Sequence, residues 1–207
     1  NESSVAIEKL EFAAFAVGGL AATAVDPVAG QVRASSRVEL PLSDSAGGSA
    51  SPGQTITLFG PGDVRDIDRD QIIRRYPAPG TLTAEETVLA HIEFDRPELP
   101  WQFSAARAGD RLRPWLTLVV VEQAAVQWEP ATALLPILRV PLAQLPRDLG
   151  QAHLWAHAQA PQSGAVPLEV RLSPEYAPVN LSRLLSPRVL KQDTDYVAAL
   201  VPTTDAG

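Results

Sequence analysis

Apolar and polar positions alternate most clearly between Gln31 and Leu42, where Val32, Ala34, Val38, Leu40 and Leu42 interleave with Arg33, Ser35, Arg37 and Glu39. A two-residue period collects the apolar set on one face of an extended chain, so this segment predicts a half-buried strand. Ser43 to Gly53 reads as a flexible loop by composition, and Gln54 to Phe59 as a second strand ended by the turn Gly60-Pro61-Gly62-Asp63. Leu116 to Glu122 is a continuous β-branched run, the signature of a central strand buried on both faces. Shorter strand candidates are Ile72 to Ile73, Val88 to Phe94, Val126 to Trp128, Ile137 to Val140, His153 to Gln159, Leu168 to Leu172 and Tyr196 to Val201. Val5 to Phe15 fits neither period and is read as a strand broken near Lys9. Helical signals are few: one turn at Asp66 to Gln71, a capping-like Thr83 to Glu86, and a brief helix at Val179 to Leu185 that stops before Ser186-Pro187.

Proline sharpens this picture. The chain has 19 prolines and 13 glycines spread along 207 residues, and each proline removes an N–H and locks φ, so uninterrupted elements must be short. The expected fold is therefore mainly β, a sandwich or barrel-like domain of many short strands with one or two short helices. Neither an internal repeat nor a clear linker divides the sequence, which predicts a single β-rich domain over residues 1–207. Residue 1 is not Met and the chain stops just after a good strand, so the domain is expected to be the N-terminal part of a longer protein.

Charge and cysteine content narrow the function. The net charge is −7, and the one basic group, Arg65, Arg69, Arg74 and Arg75, is interleaved with Asp63, Asp66, Asp68 and Asp70. Phosphate neutralisation has no basic surface to work with, so nucleic acid is not an expected partner, nor is an anionic membrane surface. The apolar run Phe12 to Val25 is too short to span a bilayer, is preceded by acidic residues unlike a signal peptide, and is read as core. No membrane insertion is expected, and the protein is placed in the cytoplasm or in an assembly released from the cell. The absence of cysteine excludes disulfides, thiol catalysis and thiolate metal sites.

Four constellations could carry chemistry. His153 and His157 stand four apart, a zinc-chelating spacing on a helix, but no metalloprotease Glu lies between them and a carboxylate would have to complete the site. Asp66, Asp68 and Asp70 alternate as in a calcium loop, yet the sixth and twelfth positions are Gln71 and Pro77 instead of Gly and Glu. Pro100-Trp101 and Pro114-Trp115 set large rings beside rigid turns, where they could stack on sugar, anchor an interface or cap the core. Glu93 and Asp95 share a strand face but show no second carboxylate geometry for glycoside hydrolysis. No nucleophile elbow or phosphate loop is present; Pro61 itself removes an N–H that a phosphate would need. No cofactor is implied.

Leu58-Phe59-Gly60-Pro61-Gly62-Asp63-Val64, then Ile92-Glu93-Phe94-Asp95-Arg96-Pro97 with Pro100-Trp101, then Leu112-Arg113-Pro114-Trp115-Leu116 resemble an uncharacterised bacterial protein family. The resemblance extends over most of the chain, to Tyr196 to Pro202. It implies longer parent proteins encoded near phage-tail-like or contractile injection loci, and carries no catalytic residues. The expected function is a structural or adaptor domain that contacts other proteins of an assembly, and not an enzyme. A carbohydrate-binding module using Trp101 and Trp115, and a metal-dependent hydrolase using His153 and His157, are the alternatives.

Overall fold

The proline spacing shows directly in strand length: no strand exceeds seven residues among those described by the computed structural model, which are 10–13, 35–43, 45–58, 64, 66–104, 113–129, 137–146, 149–161 and 166–203. In chain order these strands are β1 (Leu10–Ala13), β2 (Ser35–Glu39), β3 (Leu42–Ser43), β4 (Ser49–Ala50), β5 (Gly53–Thr57), β6 (Ile72–Tyr76), β7 (His91–Phe94), β8 (Leu116–Glu122), β9 (Gln127–Glu129), β10 (Ile137–Arg139), β11 (Ala156–Pro161), β12 (Leu181–Leu185) and β13 (Tyr196–Pro202). They make a mainly β chain of several small antiparallel sheets, with no closed barrel.

The largest sheet has five strands in the order β1-β11-β12-β7-β6. Its inner face follows the two-residue period: Ala156, Ala158 and Ala160 of β11, Ser182 and Leu184 of β12, and Ile92 and Phe94 of β7 are all buried. Against it packs a ribbon of β8 and β13, paired from Leu116↔Pro202 to Glu122↔Tyr196, which contributes Leu116, Leu118, Val120 and Leu200 to the same cluster. Burying each such aliphatic side chain is worth about 1.5–3 kcal/mol. The expectation that β8 is buried on both faces is met, but in a two-stranded ribbon instead of the middle of a sheet.

Proline-flanked turns pin this core. Leu99–Trp101 forms a 3-10 turn whose three residues are buried. The Trp115 indole N–H donates to the Leu99 carbonyl at 2.7 Å, and its ring meets Phe103 edge-on. The Ser182 hydroxyl donates to the Arg96 carbonyl at 2.6 Å, and the Thr203 hydroxyl to the Pro114 carbonyl at 2.7 Å.

Three local expectations are corrected. Val179 to Leu185 is not one helix: Val179 ends the 3-10 segment Pro174–Val179 and Leu181–Leu185 is strand β12, because pairing on both edges and inward Ser182 and Leu184 outweigh its leucine-rich helix propensity. Leu168 to Leu172 is not a strand but holds the four-residue helix α1 (Leu168–Arg171). Pro167 precedes it without an N–H to lose, Glu169 and Arg171 suit its two ends, and the Arg171 guanidinium donates to the Val166 and Pro161 carbonyls. Thr83 to Glu86 starts no helix; the Glu85 N–H is instead taken by the Tyr76 hydroxyl at 3.1 Å. Most of Phe12 to Val25, the run read as core, lies outside the described residues, and Phe12 itself is exposed.

Candidate interaction site

The Pro-Trp turns supply core, not surface. Trp101 and Trp115 are each only 4% exposed, so neither presents a ring face to a sugar; Trp128, at 60%, is the exposed tryptophan of that size class. Tryptophans beside prolines gave no signal for this difference, since both settings favour rigid turns. The binding role expected of Trp101 and Trp115 is replaced by packing.

His153 and His157 are placed on different elements. His153 lies in the 3-10 segment Leu149–Trp155, and strand β11 begins only at Ala156, so the expected His153 to Gln159 strand starts three residues late. His157 instead faces outward from the five-stranded sheet into a polar row. Its ring meets Phe12 edge-on at 5.0 Å, and across the strands stand Arg183 and then Glu93. The Arg183 guanidinium donates through Nε and Nη2 to the buried Glu93 carboxylate. His91, 3.7 Å from Glu93, donates from Nδ1 to the Leu89 carbonyl and stacks on Tyr76. Burial pushes the His157 imidazole down to about 4, helped by the Arg183 and His91 charges and opposed by Glu93. With Arg183 already occupying the carboxylate, this row is an ion-paired sheet face and not a ligand set.

Asp66 and Asp68 are likewise committed to backbone. Asp66 accepts from the Ile67 N–H at 2.8 Å, and Asp68 accepts from the Asp70 N–H at 3.0 Å, starting the 3-10 turn Arg69–Gln71. Among the described residues no three His, Asp or Glu side chains are gathered to hold an ion. Asp66, Asp68 and Asp70 thus shape a turn.

The feature with most to offer a partner is the segment whose alternation was clearest. Strands β2 and β5 pair, and β3 and β4 continue the same register, so residues 35–57 form one hairpin about 30 Å long. The ladder lapses between β2 and β3 at Leu40 and Pro41; the Leu40 N–H still reaches the Pro52 carbonyl at 3.0 Å, while Pro52 has no N–H to return. The stretch expected to be a flexible loop is therefore the paired end of an arm, closed by a turn in which Gly47 takes φ 87°. One face carries Arg37 and Glu39, ion-paired at 3.0 Å, with the Arg37 guanidinium lying over Gly53, where a Cβ would collide with it. The other face carries Val38, Leu40 and Leu42 at 47, 60 and 48% exposure. The expected half-buried strand is thus a correction too: the alternation exists, but every described residue from 37 to 55 is exposed.

A groove of about 580 Å³ lies beside the β8–β13 ribbon. The outward residues Thr117 and Val119 of β8 and Val201 of β13 form its floor, and Leu138, Val140 and Leu145 its wall. The Arg139–Glu129 ion pair crosses the β9–β10 hairpin beside it. Sequence periodicity could not reveal this groove, because Thr117 and Val119 sit in an uninterrupted apolar run with no face marked as open. No family model, curated protein or solved structure matches the chain at a significant level.

Proposed function

We propose that the chain is a structural or adaptor domain that holds other proteins in a larger assembly, of the phage-tail-like kind that its motif resemblance implies, in the cytoplasm or after release from the cell. The observation that carries this reading is the outer part of the arm, where every described residue from 37 to 55 is exposed although the segment is amphipathic. An isolated two-stranded hairpin is at best marginally stable in water, and an apolar stripe gains free energy only when another surface covers it. The motif residues Phe94, Pro97, Pro100, Pro114 and Trp115 support the same reading from the other side, since all are spent on the core and none on a reactive cleft. Among the described residues, no helix is long and apolar enough to cross a membrane.

Affinity capture from the producing bacterium tests this, using the tagged chain and its Val38→Asp/Leu42→Asp variant. The expected result is a set of structural assembly proteins, identified by mass spectrometry, that the variant no longer retains. The same proteins on both baits, or none on either, would refute it.

A further inference from the structure

We infer that β2 pairs edge to edge with β2 of a second copy of this chain, antiparallel and centred on Val38, so that two arms join into one four-stranded sheet; this rests on the structural reading above and names one partner of the arm. The edge is built for it. Among the described residues, β2 pairs only with β5, and β5 only with β2. The Leu40 N–H turns inward to the Pro52 carbonyl at 3.0 Å. Successive residues of an antiparallel ladder turn their N–H and C=O groups to opposite sides. Val38 therefore faces β5 as Leu40 does, and Arg37 and Glu39 turn their backbone groups outward. A two-stranded ribbon is marginal in water, whereas three or more strands with a hydrophobic face hold on their own. A further strand is what this edge lacks.

Charge selects the strand. Charged side chains on an edge ordinarily turn away stray strands, but Arg37-Val38-Glu39 complements itself. When two β2 strands run antiparallel about Val38, Arg37 of each copy stands opposite Glu39 of the other. These are the outward-facing residues, so the same register lets each such pair exchange both of its backbone hydrogen bonds. Other registers are penalised. Centring one residue earlier sets Arg37 against Arg37, and one residue later sets Glu39 against Glu39. Centring on Leu40 sets Glu39 against Pro41, which has no N–H to donate.

Symmetry then closes the assembly. The same patch meets itself about a two-fold axis, so association stops at a dimer. The axis stands perpendicular to the joined sheet and leaves both stripes of Val38, Leu40 and Leu42 on one face, a doubled apolar surface for other assembly proteins.

The chain has no cysteine, which permits a direct test. Val38→Cys is expected to give a disulfide-linked dimer under mild oxidation, because the axial pair sets its Cα atoms about 4.5 Å apart, within reach of the bridge. Thr55→Cys lies on β5, at the far edge of the joined sheet, and is expected to stay unlinked. In sedimentation velocity the natural chain gains mass with concentration until it reaches a dimer. Arg37→Glu and Glu39→Arg each weaken that association by at least about tenfold. A mixture of the two variants restores it as a heterodimer, because each supplies the charges that the other lacks. Both positions are exposed, and circular dichroism confirms that the variants are folded.

The inference is overturned by a monomer at every concentration, or by a mixture of Arg37→Glu and Glu39→Arg that associates no better than either alone. It is also overturned if Thr55→Cys links as readily as Val38→Cys, or if Leu40→Cys links more readily. A monomer whose arm still captures host proteins removes the second copy but keeps the adaptor reading. Failure of both measurements removes both.

Discussion

His157 is held where its charged form is least welcome. Its Nε2 is buried without a hydrogen-bond partner, and the Arg183 guanidinium stands on the next strand. The unfolded ring titrates near its ordinary value of about 6.5, whereas in the folded chain it stays neutral down to about 4. Between those values the unfolded chain binds a proton that the folded chain does not. The stabilisation is therefore complete above about pH 6.5 and is lost as the pH falls toward 4. Residual solvent access reduces the ideal linkage to about 1–2 kcal/mol. Urea unfolding at pH 7 and pH 4.5 measures it, and His157→Gln should flatten the difference between the two. An unchanged difference in that variant would assign the pH dependence elsewhere.

Elements divide into those whose alternation is satisfied within the chain and those whose alternation is not. Leu184 of β12 is 1% exposed, and Leu184→Ala should cost about 2–5 kcal/mol in chemical denaturation. Leu40, equally leucine but exposed between β2 and β3, should tolerate Asp with a change of no more than about 0.5 kcal/mol in the same measurement. The contrast marks what sequence can say. Leu116–Glu122 was legible as a strand because a β-branched run has few other ways to be buried. The stripe at Val38, Leu40 and Leu42 was legible as a strand but not as an uncovered one, since periodicity marks which face is apolar and is silent about what lies against it. Leu181–Leu185 was misread as a helix because its decisive neighbours, Phe94 and Ala158, are remote in sequence. Of the site residues, Trp101, Trp115, Asp66 and Asp68 had the right chemistry and the wrong placement: indoles turned inward, carboxylates spent on their own backbone.

On the scale of the whole molecule, the exposed arm residues 37–55 stand outside the hydrophobic cluster. The hydrophobic cluster draws on β7, β8, β11 and β12 and on the turns at Leu99 and Trp115, and takes no residue from 35–57. Replacing residues 37–55 by a short Gly-Ser turn should therefore leave the melting temperature of the body within a few degrees of the natural chain, as calorimetry would show. A collapse of the transition would mean that the arm helps to hold the body. The pairing of β8 with β13 has a consequence for biosynthesis. Leu116 cannot meet Pro202 until the ribosome has delivered nearly everything between them. Until then Leu-Thr-Leu-Val-Val-Val is a bare, sticky, strand-forming stretch with its rightful neighbour untranslated. Nascent chains of this protein should for that interval be clients of a holding chaperone, released when the last strand emerges and zips the ribbon shut.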